Sequence, residues 1–138
     1  MQERFLIDTA IWVDFYEDRK GYQGEPLGYF AHSPIVRIIT KQFKIIITEL
    51  LIEELQRIYS PEQIESMLKP FENILERIPI SNEQYEETKL IAKNRKAPKG
   101  DALYAVIARD NRLTLITRDK HFKKLKDIAP HYKPGYII

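Results

Sequence analysis

Phe5-Leu6-Ile7-Asp8-Thr9-Ala10-Ile11-Trp12 is the stretch on which the fold turns. Phe5-Leu6-Ile7 is an unbroken apolar run of the kind found in a strand covered on both faces, and an acid stands directly where that strand ends. Lys44-Ile45-Ile46-Ile47 repeats the signal, and Leu113-Thr114-Leu115-Ile116-Thr117 gives it again. Gly135-Tyr136-Ile137-Ile138 adds a short strand at the end. Helices with legible starts lie between them. Ser60-Pro61 followed by Gln63 supplies an N-cap, a proline at the first helical position and a capping-box partner, and Pro70 should break or kink that helix. Ser81 with Gln84 repeats the capping box and opens a helix toward Arg95. Strands alternating with helices define an α/β domain with a mainly parallel sheet. The stretch from Gly21 to Gly28 reads as a loop rather than a linker, and no internal repeat appears, so residues 1–138 read as a single domain.

The chain has 138 residues, 43% of them hydrophobic, which suffices for the core of one domain. No stretch approaches the roughly 18 to 20 consecutive apolar residues that a membrane span needs. Met1-Gln2-Glu3-Arg4 opens without a basic region leading into an apolar signal segment, so the expected location is the cytoplasm. There is no cysteine, which removes disulfides, thiolate metal sites and a cysteine nucleophile. His32, His121 and His131 show no i, i+4 pairing of the kind a helical zinc site uses, so a zinc hydrolase is disfavoured. The net charge of +2 conceals a split: residues 1–92 carry 10 Lys and Arg against 16 Asp and Glu, and residues 93–138 carry 12 against 4. A basic C-terminal part suits a polyanionic partner, although it also suits an ordinary solvated surface.

The acids fall at informative places. Asp8 follows the first strand and Asp119 stands two residues beyond Thr117, so both belong to the C-terminal edge of the sheet, where open α/β sheets bind ligands. A single Asp in such a place often only caps the next helix; two at matching ends point to a site. Asp101 follows Gly100 and opens Ala102-Leu103-Tyr104-Ala105-Val106-Ile107-Ala108, a helix apolar on nearly every side. Ala105 and Ala108 share its face, leaving space beside the carboxylate, although an N-cap role is the simpler alternative. In the helix after Thr48, Leu51, Leu55 and Ile58 define an apolar stripe on which Glu54 also lies, while Glu49 and Glu53 point away. An ionised carboxylate on a core-facing stripe is costly unless it meets a cation, reaches water or changes its pKa. Carboxylates gathered at ~4 Å repel by on the order of 4 kcal/mol per pair at an effective dielectric near 20. A cation at the centre relieves that repulsion. Without cysteine or a suitable histidine pair, an all-oxygen site is expected, which favours Mg²⁺ or Mn²⁺.

Four motifs in order resemble the PIN-domain nucleases, and among them the VapC-like toxins. They are Leu6-Ile7-Asp8-Thr9-Ala10-Ile11-Trp12, Ile47-Thr48-Glu49-Leu50-Leu51-Ile52-Glu53-Glu54-Leu55, Gly100-Asp101-Ala102-Leu103-Tyr104-Ala105-Val106-Ile107-Ala108 and Leu115-Ile116-Thr117-Arg118-Asp119-Lys120-His121-Phe122. The resemblance implies a three-layer α/β/α fold and a metal-dependent endoribonuclease with Asp8, Glu54, Asp101 and Asp119 as its catalytic carboxylates. Asp8, Asp101 and Asp119 would then hold Mg²⁺ or Mn²⁺, with Glu54 completing the site or orienting the attacking water. Thr9 and Thr117 would steady those acids through their hydroxyls. Lys99, Arg118 and Lys120 flank two of the acids and would hold the RNA backbone. The resemblance further implies an antitoxin partner and a homodimer, with a housekeeping RNA-processing nuclease or a non-cutting binding module as the other roles of such a fold. The chain departs from the family pattern at His121, where many relatives carry a second Asp, and residues 14–43 match no motif. Two rival folds fit less well. A receiver domain has no use for a core-facing Glu54, and a haloacid-dehalogenase-type phosphatase needs an Asp where this chain has Ala10.

Overall fold

The computed structural model describes residues 3–17, 41 and 43–133. Among the described residues five strands form one parallel sheet in the order β3-β2-β1-β4-β5. They are β1 (Arg4–Ile7), β2 (Lys44–Ile47), β3 (Leu75–Arg77), β4 (Thr114–Ile116) and β5 (His131–Tyr132). Among the described residues five α-helices accompany them: α1 (Thr9–Glu17), α2 (Glu49–Gln56), α3 (Pro61–Leu68), α4 (Asn82–Arg95) and α5 (Lys99–Asn111). Short 3-10 helices occupy Lys69–Phe71 and Lys120–Leu125. The parallel α/β reading therefore holds. The expected strand at Gly135 to Ile138 and the loop reading of Gly21 to Gly28 lie outside the described residues.

Strand alternation divides the core in two. Phe5, Ile7, Ile45, Ile47 and Ile116 face one side and pack with Trp12, Leu51, Leu55, Ile64 and Phe71 from α1, α2, α3 and the first 3-10 helix. Leu6, Ile46 and Leu115 face the other side, against Leu103, Tyr104, Ile107 and Phe122 from α5 and the second 3-10 helix. Because both faces are covered, the central strands are apolar from their second residue onward. The result is an α/β/α sandwich.

Both capping boxes form. Ser60 accepts from the Gln63 amide at 3.2 Å and Gln63 answers the Ser60 amide at 2.9 Å. Ser81 and Gln84 do the same at 3.2 and 2.8 Å. Pro70 falls inside the 3-10 turn that ends α3, where the α-helix can no longer continue. Two expectations need correction. Ile58 is not on the buried stripe: α2 stops at Gln56, the chain turns, and Ile58 is 52% exposed while Tyr59 takes the buried place. Leu113 is not a strand residue, because its amide bonds the Ala108 carbonyl at 2.9 Å and closes α5 across Arg112, which is left-handed at φ 54°.

β1 is central, and the chain leaves it on one side toward β2 and β3 and later returns to β4 and β5 on the other. The strand order thus reverses around β1, and a crevice is expected at the C-terminal edge between β1 and β4.

Candidate metal and catalytic centre

The crevice is built from residues whose backbone leaves them little freedom. The Asp8 amide bonds the Ile116 carbonyl at 3.0 Å, extending the β1–β4 ladder by one residue, and the Asp8 carbonyl accepts from Ile11 at 3.0 Å to start α1. Asp8 is thereby pinned between strand and helix, and is only 5% exposed. Thr117, just past β4, donates its hydroxyl to Asp8 Oδ2 at 2.8 Å and accepts from the Asp119 amide at 3.1 Å. One hydroxyl therefore holds both the first acid and the turn that carries the last. Asp119 caps the following 3-10 helix, its Oδ1 accepting from the His121 amide at 2.9 Å. The capping alternative is thus real for Asp119, and the same carboxylate also faces the crevice.

Glu54 arrives from α2. Its Oε1 accepts from the Thr9 hydroxyl at 2.5 Å, and Thr9 Oγ1 lies 2.7 Å from the Tyr104 hydroxyl. Thr9 has one proton and gives it to Glu54, so Tyr104 must donate to Thr9. Burial raises the Tyr104 pKa well above that of an ordinary phenol, which keeps that donor protonated. On the other side Glu54 lies against Gly100 of α5, where a Cβ would stand 2.9 Å from Oε2. A side chain at position 100 would displace the carboxylate. Glu53, by contrast, is exposed.

Asp101 is the third residue of α5, inside the first turn of a helix whose N-cap position is Pro98. The N-cap alternative for Asp101 therefore fails, and its Oδ2 is buried without any hydrogen-bond partner. An unpaired buried carboxylate oxygen is costly. Burial first, then the charges of Asp119, Asp8 and Glu54, push the Asp101 pKa up to about 7, with His121 opposing. Asp8 rises to about 6, again mainly through burial, with Glu54 and Asp119 adding to it and the Thr117 hydrogen bond acting the other way. Neighbouring carboxylates thus add to the rise at Asp8 and Asp101, as expected where acids share one site.

Among the described residues, Asp101, Asp119 and His121 form a group whose potential ligand atoms all lie within 4.8 Å of one another. Asp8 and Glu54 stand outside this group and act on it through their charge. His121 Nδ1 is 3.0 Å from Asp119 Oδ1 and 3.6 Å from Asp101 Oδ2. A test for histidines paired along a helix does not find His121. Its signal in the sequence is its place two residues after Asp119, where the cap turns the side chain back toward the acids. The donor set suits a divalent cation: carboxylate oxygens in excess of nearby positive charge, one of them buried and unpaired.

The three candidate phosphate-binding cations differ. Lys99, at the start of α5, and Lys120, directly after Asp119, are exposed. Arg118 is already partnered: it forms two hydrogen bonds, at 2.5 and 3.0 Å, with Asp14 of α1, a carboxylate only 1% exposed. That pair ties α1 to the end of β4.

The PIN-domain family model matches residues 5–128, and the chain belongs to that family. No curated protein matches the sequence. Solved structures resemble it in fold. VapBC2 from Rickettsia felis, bound to a DNA fragment from its promoter, has a chain 21% identical at a TM-score of 0.67, covering 94% of this chain and 98% of that one. A toxin-antitoxin complex from Klebsiella pneumoniae gives 21% identity and a TM-score of 0.62, over 94% and 96% of the two chains. FitAcB from Neisseria gonorrhoeae gives 15% and 0.60, over 96% and 99%.

Proposed function

We propose that the chain is a VapC-like endoribonuclease, dependent on Mg²⁺ or Mn²⁺, and the toxin of a toxin-antitoxin pair. The observation that carries this reading is the buried, unpaired Oδ2 of Asp101 in a crevice shared with Asp8, Asp119 and Glu54. Membership of the PIN-domain family supports it, as does the likeness in fold to chains from toxin-antitoxin complexes. Asp101, Asp119 and Asp8 are the residues that would hold the cation. Once bound, the cation supplies a more acidic water and neutralises charge on the phosphate. Thr117 and Thr9 fix the directions of Asp8 and Glu54, so neither carboxylate must reorganise when a phosphodiester arrives. Glu54, anchored at Oε1, leaves Oε2 to orient the attacking water. Lys99 and Lys120 hold the RNA backbone, while Arg118 serves the site through its hold on Asp14.

Membership of the same family supports the remaining parts of the reading. An antitoxin protein is the expected partner, the active form is a homodimer, residues 1–138 act as one domain, and the protein works in the cytoplasm. Among the described residues, no helix is long and apolar enough to cross a membrane. The test is cleavage of a single-stranded RNA by chelator-treated protein, before and after Mg²⁺ or Mn²⁺ is added. The expected result is no cleavage without the ion and recovery with it. Undiminished cleavage by metal-free protein, or autophosphorylation from acetyl phosphate in its place, would contradict the reading.

A further inference from the structure

The imidazole of His121 changes the chemistry of the cation site. We infer that His121 is a nitrogen ligand of the bound cation, through Nδ1, and that the centre prefers a first-row transition ion such as Mn²⁺ to Mg²⁺. The inference rests on the divalent-cation reading above and adds to it a ligand and an ion preference.

Three observations carry it. Nδ1, rather than Nε2, is the ring atom turned to the acids, at 3.0 Å from Asp119 Oδ1 and 3.6 Å from Asp101 Oδ2. The Asp119 cap holds the His121 backbone beside the same carboxylate, because Oδ1 accepts from the His121 amide at 2.9 Å. Asp101 Oδ2, the second oxygen facing the ring, is buried and has no hydrogen-bond partner, and the nearest basic group to it is His121 Nδ1 at 3.6 Å. To hold a cation, the neutral ring carries its proton on Nε2 and offers the Nδ1 lone pair. Two carboxylate oxygens and one imidazole nitrogen form a mixed set. Mg²⁺ is a hard ion that keeps oxygen and water ligands, whereas transition ions gain from nitrogen.

The experiment uses metal-free full-length protein and its His121→Asp and Asp101→Asn variants, each confirmed as folded by circular dichroism. Mn²⁺ and Mg²⁺ are titrated separately by calorimetry, and the Mn²⁺-loaded samples are examined by pulsed electron paramagnetic resonance for ¹⁴N modulation. The wild type should bind Mn²⁺ at least about tenfold more tightly than Mg²⁺ and show the modulation of one coordinated imidazole. In His121→Asp the modulation should vanish and the preference shrink to about threefold or less, with both ions still bound. Asp101→Asn should weaken both ions. If Mn²⁺ binds and Asp101→Asn weakens it, but the wild type shows no ¹⁴N modulation or His121→Asp retains it, the role given to His121 is wrong and the carboxylate site stands. If the wild type binds neither ion, the cation reading itself falls, and this inference with it.

Discussion

Asp8 and Asp101 hold their protons unusually tightly for carboxylic acids, and this has a consequence for stability. Their pKa values are raised from 3.8 to about 6 and about 7, chiefly by burial. An acid whose pKa is raised on folding binds more protons folded than unfolded, so its contribution favours the folded state at low pH and is lost as pH climbs through the folded value. The metal-free protein should therefore gain stability as pH falls from 8 to 5, by on the order of 2–4 kcal/mol for the two acids together. Glu87, Asp110 and Asp127, lowered mainly by their partners Arg109 and Arg95 or Gln84, act in the opposite sense but only below their ordinary carboxylate range. His131, lowered by burial and by Lys123 and Lys126, also opposes the trend. A comparison with Asp101→Asn cancels these common contributions. Thermal melts of both proteins at pH 5 and 8 in chelator should show a smaller pH-dependent shift in the variant, and equal shifts would contradict the burial of an ionisable Asp101.

At the scale of elements, α2 offers the sharper choice. Glu53 and Glu54 are neighbours with the same chemistry, and the helix sends one outward and the other to Thr9 and Gly100. Glu54→Gln should cut RNA cleavage by at least about tenfold, roughly 1.4 kcal/mol of transition-state stabilisation, with little change in folding. Glu53→Gln should leave the rate unchanged, and a reversed pattern would place the fourth carboxylate elsewhere. This choice was legible in the sequence because Leu51 and Leu55, two of the three stripe residues, do lie on the buried face of the helix. The stripe failed at Ile58, since only the backbone shows where a helix stops. β1, β2 and β4 were legible as apolar runs buried on both faces. β3 and β5 were not: Leu75-Glu76-Arg77 and His131-Tyr132 are short, partly polar edge strands, recognisable only by the neighbour they pair with. His121 stood out in the sequence only as the position where many relatives carry a second Asp, and its nearness to Asp119 and Asp101 shows only in the structure. Its placement depends on a turn and not on spacing along a helix.

Across the whole molecule, the acidic and basic parts of the sequence meet at the crevice. Asp8 and Glu54 come from the first 92 residues, which carry 16 acids to 10 basic residues; Asp101 and Asp119 come from the remainder, which carries 4 to 12. Lys99 and Lys120 are exposed on α5 and the second 3-10 helix within two residues of Asp101 and Asp119, so positive charge adjoins the later acids along the chain. That arrangement suits a phosphate chain drawn to a cation-holding centre. On the proposed function the acids would serve the reaction at a cost to the empty fold, and one variant exposes both sides of that balance. Asp101→Asn, purified and melted in chelator and then assayed on single-stranded RNA with Mn²⁺, should melt at the wild-type temperature or above it. Its cleavage should fall by at least about a hundredfold, near 2.7 kcal/mol in transition-state stabilisation. A folded Asp101→Asn protein that cuts RNA at the wild-type rate, or one that unfolds for want of the carboxylate, would contradict the account.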